Sequence, residues 1–178
     1  MYTIDFLDHS HIPSIMQLIE RVIKRHAEQG IEQWDEIYPD AACFARDIGN
    51  HTQRGLFYHP ASGDSELVGI VSINEYQDPE YDEVEWELDD PCPLLVHRLS
   101  LDPAWQGKGL ASLLMNYVEE YARENGYASI RLDAYTGNQA SLDLYTRLGY
   151  RVRGTVRYRK GLFVCFEKSV AGQKNQQN

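Results

Sequence analysis

Cysteine is scarce: Cys43, Cys92 and Cys165 are the only three in 178 residues, and they form no C-x-x-C pair. That excludes a disulfide framework and a cysteine zinc site. The six histidines are scattered, only His9 and His11 lie close together, and no third ligand follows at a recognisable spacing, so no metal is expected. Long apolar runs are missing too. Leu162–Phe166 is among the longest, far below the roughly 20 residues of a membrane span. The stretch Met1–His11 carries Asp5 and Asp8 where a signal peptide would carry Lys or Arg. A cytoplasmic protein without a membrane partner is the expectation.

Positive charge is short, above all in the first half. The formal net charge is −10, which argues against nucleic acid as a partner, because affinity for a polyanion comes largely from Lys and Arg displacing its counterions. Residues 1–97 hold 5 Lys and Arg against 20 Asp and Glu, whereas residues 98–178 hold 12 against 7. The two halves should therefore meet ligands of opposite sign. From Asp78 to Asp90 the chain has Asp78, Glu80, Asp82, Glu83, Glu85, Glu87, Asp89 and Asp90 with no Lys or Arg between them. Such a run reads either as a solvated loop or as a rim, with Glu83 and Glu85 in it, that attracts a cationic substrate by electrostatic steering.

What is present fits one ordinary soluble domain. Apolar residues make up 43% of the chain and charged residues 25%, enough for a single core and incompatible with collagen-like or wholly disordered classes. One domain over residues 1–170 and a disordered tail over 171–178 are expected. A strand near Thr3–Phe6 precedes a helix marked by Ile12, Ile15, Met16, Ile19 and Val22, with Ser10 as its cap. A polar connection with Trp34 and Tyr38 leads to a short helix from about Pro39 to Ile48. The two aromatics read either as a pocket wall or, for Trp34, as a cover on the core. Strands at Leu56–Tyr58 and Leu67–Ile73 flank a turn, and a further strand, Leu94–Leu101, stops at Asp102-Pro103. The clearest amphipathic helix carries Leu110, Leu114, Tyr117, Val118 and Tyr121. After it come a strand at Ile130–Ala134, a helix at Gln139–Leu148 and a terminal hairpin turning at Arg159-Lys160-Gly161.

Between the strand ending at Leu101 and the helix starting near Gly109 lies Gln106-Gly107-Lys108-Gly109-Leu110-Ala111. Two glycines allow a tight turn and close approach of a ligand, while the free N–H groups and dipole of a helix start favour an anion. The loop is neither a Walker A loop nor a G-x-G-x-x-G fingerprint. Here the sequence resembles the GCN5-related N-acetyltransferase (GNAT) family, whose Q/R-x-x-G-x-G/A signature is met by Gln106, Gly109 and Ala111. A second signature is matched by Asn138-Gln139-Ala140, then Leu144-Tyr145, then Leu148-Gly149-Tyr150. The resemblance covers about residues 94–168, and upstream it rests on element order.

The resemblance implies an α/β fold with a mixed, twisted sheet of about six or seven strands and about four helices, and direct transfer of an acetyl group from acetyl-CoA to an amine. It implies that CoA pyrophosphate lies on the loop from Gly107 through Gly109, Leu110 and Ala111 to Ser112, with Gln106 and Lys108 beside it. Backbone groups of Leu99, Ser100 and Leu101, together with Asn138, would hold the pantetheine arm. Tyr145 would protonate the departing thiolate. The family's usual glutamate base is missing, since Pro93, Leu94 and Leu95 stand in its place. His97, two residues before Leu99, is the favoured base, and Glu85 and Glu87 are the reserve pair if Val84–Leu88 is extended. The acceptor would be a small-molecule or peptide-like cationic amine. A non-catalytic acyl-CoA sensor and an acetyltransferase acting on protein N-termini or lysines are the competing readings. Homodimers are common in the family.

Overall fold

Helical spacing in the first third becomes α1 (Ile12–Glu28) in the computed structural model, which describes residues 1–170. Its inward face buries Ile15, Leu18, Ile19 and Val22. The cap differs from expectation. Asp8, not Ser10, accepts from Ser10 N at 2.8 Å and anchors a single 3₁₀ turn that feeds the helix. The second helix, α2 (Ala41–Gly49), begins after Asp40, whose carboxylate accepts from Cys43 N at 2.8 Å. The connection before it, residues 29–40, has no regular element.

Seven strands follow the order expected from the alternating segments: β1 (Tyr2–Phe6), β2 (Gln53–Tyr58), β3 (Glu66–Asn74), β4 (Leu94–Leu101), β5 (Ser129–Tyr135), β6 (Arg151–Tyr158) and β7 (Gly161–Ser169). They form one mixed sheet in the order β1-β2-β3-β4-β5-β7-β6, in which only β4 and β5 run parallel. The helices α3 (Leu110–Glu124) and α4 (Gln139–Arg147) complete four. One face packs Val96, Ile130 and Phe166 under Leu114, Val118 and Leu144 of α3 and α4. The other packs Leu67 and Ile70 under Leu18, Phe44 and Ile48 of α1 and α2. Neighbouring residues of β3 thus serve opposite layers, and the register shift that leaves Val68 unpaired lets Leu67 and Ile70, three residues apart, share one face.

The segment Val84–Leu88 is not a strand, although its alternation suggests one. Glu167 on β7 accepts the backbone N–H groups of Glu87 at 3.0 Å and Leu88 at 3.2 Å, and Arg131 donates to Leu88 O at 2.9 Å. Tyr81 and Val84 plug an apolar cluster with Leu95, Phe163 and Cys165. The acidic run is therefore pinned as a loop by buried partners rather than paired as an edge. Among the described residues no helix is long and apolar enough to cross a membrane. The expected tail, 171–178, lies outside the described residues.

Candidate active site

The parallel ladder between β4 and β5 is short. It pairs Leu94 with Ile130, Leu95 with Arg131 and Val96 with Leu132, and then stops. Beyond that point the strands part, and a cavity of about 480 Å³ opens, lined among others by Val96, His97, Leu99, Asp133 and Tyr145. Its roof comes from the connection before α2 and from the β6–β7 turn. Arg159 holds both oxygens of Asp35 at 2.9 and 3.0 Å, and Gln33 accepts from Asn138 at 3.0 Å. Trp34 and Tyr38 line the same cavity, and Trp34 also packs against the α1–α2 core. Both roles open to that tryptophan are filled.

Tyr145, buried on α4, reaches the cavity from the side of α3 and α4. Burial pushes its phenol up, and the nearby Asp133 carboxylate adds to that, so the hydroxyl stays protonated. That hydroxyl has no hydrogen-bond partner among the described residues. It is a free donor.

His97 also lines the cavity, with Nε2 3.2 Å from Asn74 Oδ1. Burial and the neighbouring Arg98 charge lower its pKa to about 4, which leaves the ring neutral and weakly basic at neutral pH. Glu83, Glu85 and Glu87 do not line the cavity; all three are exposed. Glu87 instead pairs with Arg153. From the acidic run only Asp78 and Glu80 reach the cavity wall.

The group that sequence reasoning misses is Asp133. It sits deep at the wall of the cavity, accepting from Tyr81 Oη at 2.8 Å and Tyr158 Oη at 3.4 Å. Tyr158 Oη also lies 3.3 Å from Asp78 Oδ2, so one hydroxyl links the two carboxylates. Desolvation pushes the Asp133 carboxyl up to about 6, and its neighbour Asp78 adds to the rise. Neither acid has a cationic partner among the described residues, whereas Arg98, Arg159 and Lys160 on the same wall are paired with Asp47 or Asp35. The cavity thus holds two carboxylates without a salt-bridge partner beside a free phenol, although Arg98 stands near enough to Asp78 to lower its pKa.

The turn after β4, none of whose residues from Gln106 to Ser112 lines that cavity, folds as its glycines suggest. Gly107 and Gly109 have φ of 75° and 77°, in the left-handed region that residues with a Cβ avoid. No side chain caps α3, so its first N–H groups, from Leu110 through Ala111 to Ser112, remain open. Space at both glycines is clear, with nothing within 4 Å of an added Cβ. Gln106 leads into this turn, and the Lys108 ammonium stands 4.3 Å from the Trp105 ring centre. Leu99 faces the cavity, while Ser100 is buried and donates to Arg98 O at 3.1 Å. Leu101 is half-buried at the end of β4.

An open glycine-bounded helix start thus follows the first of two strands that part beyond Val96. The model of the acetyltransferase (GNAT) family matches residues 17–150. The chain belongs to that family. The GNAT-family acetyltransferase of Streptococcus agalactiae superimposes with a TM-score of 0.82 at 24% identity, covering 94% of this chain and 95% of that one. An N-acetyltransferase of Thermoplasma acidophilum solved in complex with coenzyme A gives 0.67 at 16% identity, over 95% and 99% of the two chains. In sequence, the uncharacterized N-acetyltransferase YdgE of Bacillus subtilis is 27% identical over 135 residues, 76% of each chain. N-acetyltransferase 8F1 of rat is 28% identical over 128 residues, 69% of this chain, which spans about half (53%) of that protein.

Proposed function

We propose that this GNAT protein moves an acetyl group from acetyl-CoA directly to the primary amine of a small or peptide-like cationic acceptor. The observation that carries the reading is the pair Asp78 and Asp133, which line one cavity with Tyr145 and have no salt-bridge partner among the described residues, the Arg98 charge acting on Asp78 only at longer range. Acetyl-CoA supplies the activated acyl thioester. The residues present suit it: the open N–H groups at Leu110–Ser112 match a pyrophosphate, and the free edges of β4 and β5 beyond Val96 and Leu132 match an amide-bearing arm.

The chain's own groups then divide the work. An alkylammonium titrates near 10.4 and is no nucleophile until it loses a proton. Asp78 attracts and orients it. Asp133, with its carboxyl at about 6, is ionised at neutral pH and a stronger base than His97 at about 4, so Asp133 takes the proton and His97 lends shape. Tyr145 donates its proton to the departing sulfur.

Two tests follow from this reading. Gly109→Val places a β-branched residue at a φ of 77° and fills the cradle; acetyl-CoA affinity by calorimetry should fall at least about tenfold, the left-handed strain alone costing roughly 1–2 kcal/mol. Unchanged affinity in the folded variant would remove the pyrophosphate from this loop. For the acceptor, CoA-thiol release is measured across mono- and diamines and peptides with free N-termini or lysines. Turnover with small cationic amines is expected. Tight acetyl-CoA binding with no release for any amine would instead establish the sensor reading.

A further inference from the structure

Neither the proposed proton relay nor the glycine loop uses Arg98, yet it holds the least ordinary backbone position in the site. Between the pairs Ile70–Ser100 and Ser72–His97, β4 carries one residue more than β3. The extra residue is a bulge, and within it Arg98 has φ of 54°. A bulky residue is rarely left-handed without outside support. The support is visible. Nη2 and Nε donate to Asp47 Oδ2 on α2 at 2.5 and 3.1 Å, and Nη1 donates to Tyr38 Oη at 2.9 Å. Asp47 is in turn tied to β3, accepting from Ser72 Oγ at 2.6 Å. Ser72 is itself the residue paired with His97.

The place of the bulge matters as much as its bonds. The β4–β5 ladder ends at Val96, two residues before Arg98. Val96, His97, Arg98 and Leu99 then line the cavity in succession, which a regular strand with alternating faces would not allow. All three guanidinium nitrogens already donate within the protein, leaving one N–H on each of Nη1 and Nη2.

We propose that Arg98 is a positioning residue: clamped between Asp47 and Tyr38, it holds the left-handed turn of β4 that parts the strand from β5 and presents the Leu99 backbone to the cavity. The proposal rests on reading this cavity as the acetyl-CoA site. It predicts a specific asymmetry between substitutions. Arg98→Ala and Arg98→Gly lose the same clamp and leave Asp47 equally unpaired, but glycine adopts positive φ without strain. Arg98→Asn against Arg98→Ser gives a second pair of the same kind, since Asn visits the left-handed region more readily.

The measurement is acetyl-CoA affinity by calorimetry, with melting temperature recorded alongside. Arg98→Ala should bind about tenfold or more weakly, and Arg98→Gly within about threefold of the wild type, while both lose thermal stability. Wild-type affinity in Arg98→Ala, or equal weakening in Ala and Gly, overturns the proposal; if Arg98→Ala does not fold, the Asn and Ser variants are judged by the same rule. Should the unaltered protein fail to bind acetyl-CoA, the functional reading falls separately. The backbone claim is then decided by a crystal structure of the Ala or Ser variant, where a retained bulge with positive φ at 98 refutes it and a regularised strand supports it.

Discussion

Asp133→Asn should lose nearly all turnover and at the same time melt at a higher temperature than the wild type above pH 7. The two effects share one cause. The Asp133 carboxyl is held at about 6 against an ordinary 3.8, chiefly because burial disfavours its charged form. The native state therefore binds this proton more tightly than the unfolded chain does. Stability linked to the group is complete below about pH 4 and declines as the pH rises through about 6. An amide of the same shape carries no charge to bury. At one pKa unit per ~1.4 kcal/mol, and after discounting weaker bonds from Tyr81 and Tyr158, the gain at pH 7.5 is on the order of 2 kcal/mol, and it should vanish near pH 4. Calorimetric melting at the two pH values checks the sign. A variant less stable at pH 7.5 would show that Asp133 is a structural acceptor whose charge is well matched. The catalytic half follows from the same charge: an acceptor ammonium offsets the cost of burying the carboxylate, and removing the carboxylate removes both attraction and proton acceptor. A fall of roughly 10²–10⁴-fold in kcat/KM is expected.

Tyr145→Phe should leave the fold almost untouched and slow the chemical step. The hydroxyl makes no hydrogen bond among the described residues, and the ring packs 5.7 Å from Phe166 and 5.9 Å from Tyr150, contacts that phenylalanine keeps. Its pKa is pushed up by burial, so it can give a proton at any working pH but cannot act as a base. Single-turnover rates should drop on the order of 10²-fold with acetyl-CoA affinity unchanged. An unaltered single-turnover rate would hand the thiolate's proton to water.

Much of this arrangement is legible in the amino-acid sequence. Period and punctuation locate seven strands and four helices because each is bounded by local signals, such as Asp102-Pro103 after β4 or Gly107 and Gly109 before α3. Tyr145 stands out only through the resemblance of Asn138–Tyr150 to a family signature; by its neighbours Leu144 and Leu148 alone it reads as a core aromatic. What escapes is whatever depends on distant neighbours. Asp133 looks like an ordinary polar position of an alternating strand, two residues after Arg131; its environment is made by Tyr81, fifty-two residues earlier, and Tyr158. The run Leu94–Leu101 gives no sign of a bulge, because Arg98 is turned by Asp47 on another element. Val84–Leu88 alternates like a strand, and only the Glu167 carboxylate beneath it explains why it is a loop. The charge asymmetry between the halves singles out the acidic run but not which of its residues reach the cavity: Asp78 and Glu80 do, whereas Glu83, Glu85 and Glu87 face solvent.

The most direct test of the central claim, that cavity carboxylates without salt-bridge partners receive and deprotonate a cationic amine, is the pH dependence of kcat/KM for the best acceptor, which reports groups of the free enzyme. The expected profile has an acidic limb with its midpoint near 6, the pKa to which burial raises Asp133, present in His97→Ala and absent in Asp133→Asn. A limb near 4 that disappears in His97→Ala, matching the lowered imidazole, would contradict the assignment and return the base to His97.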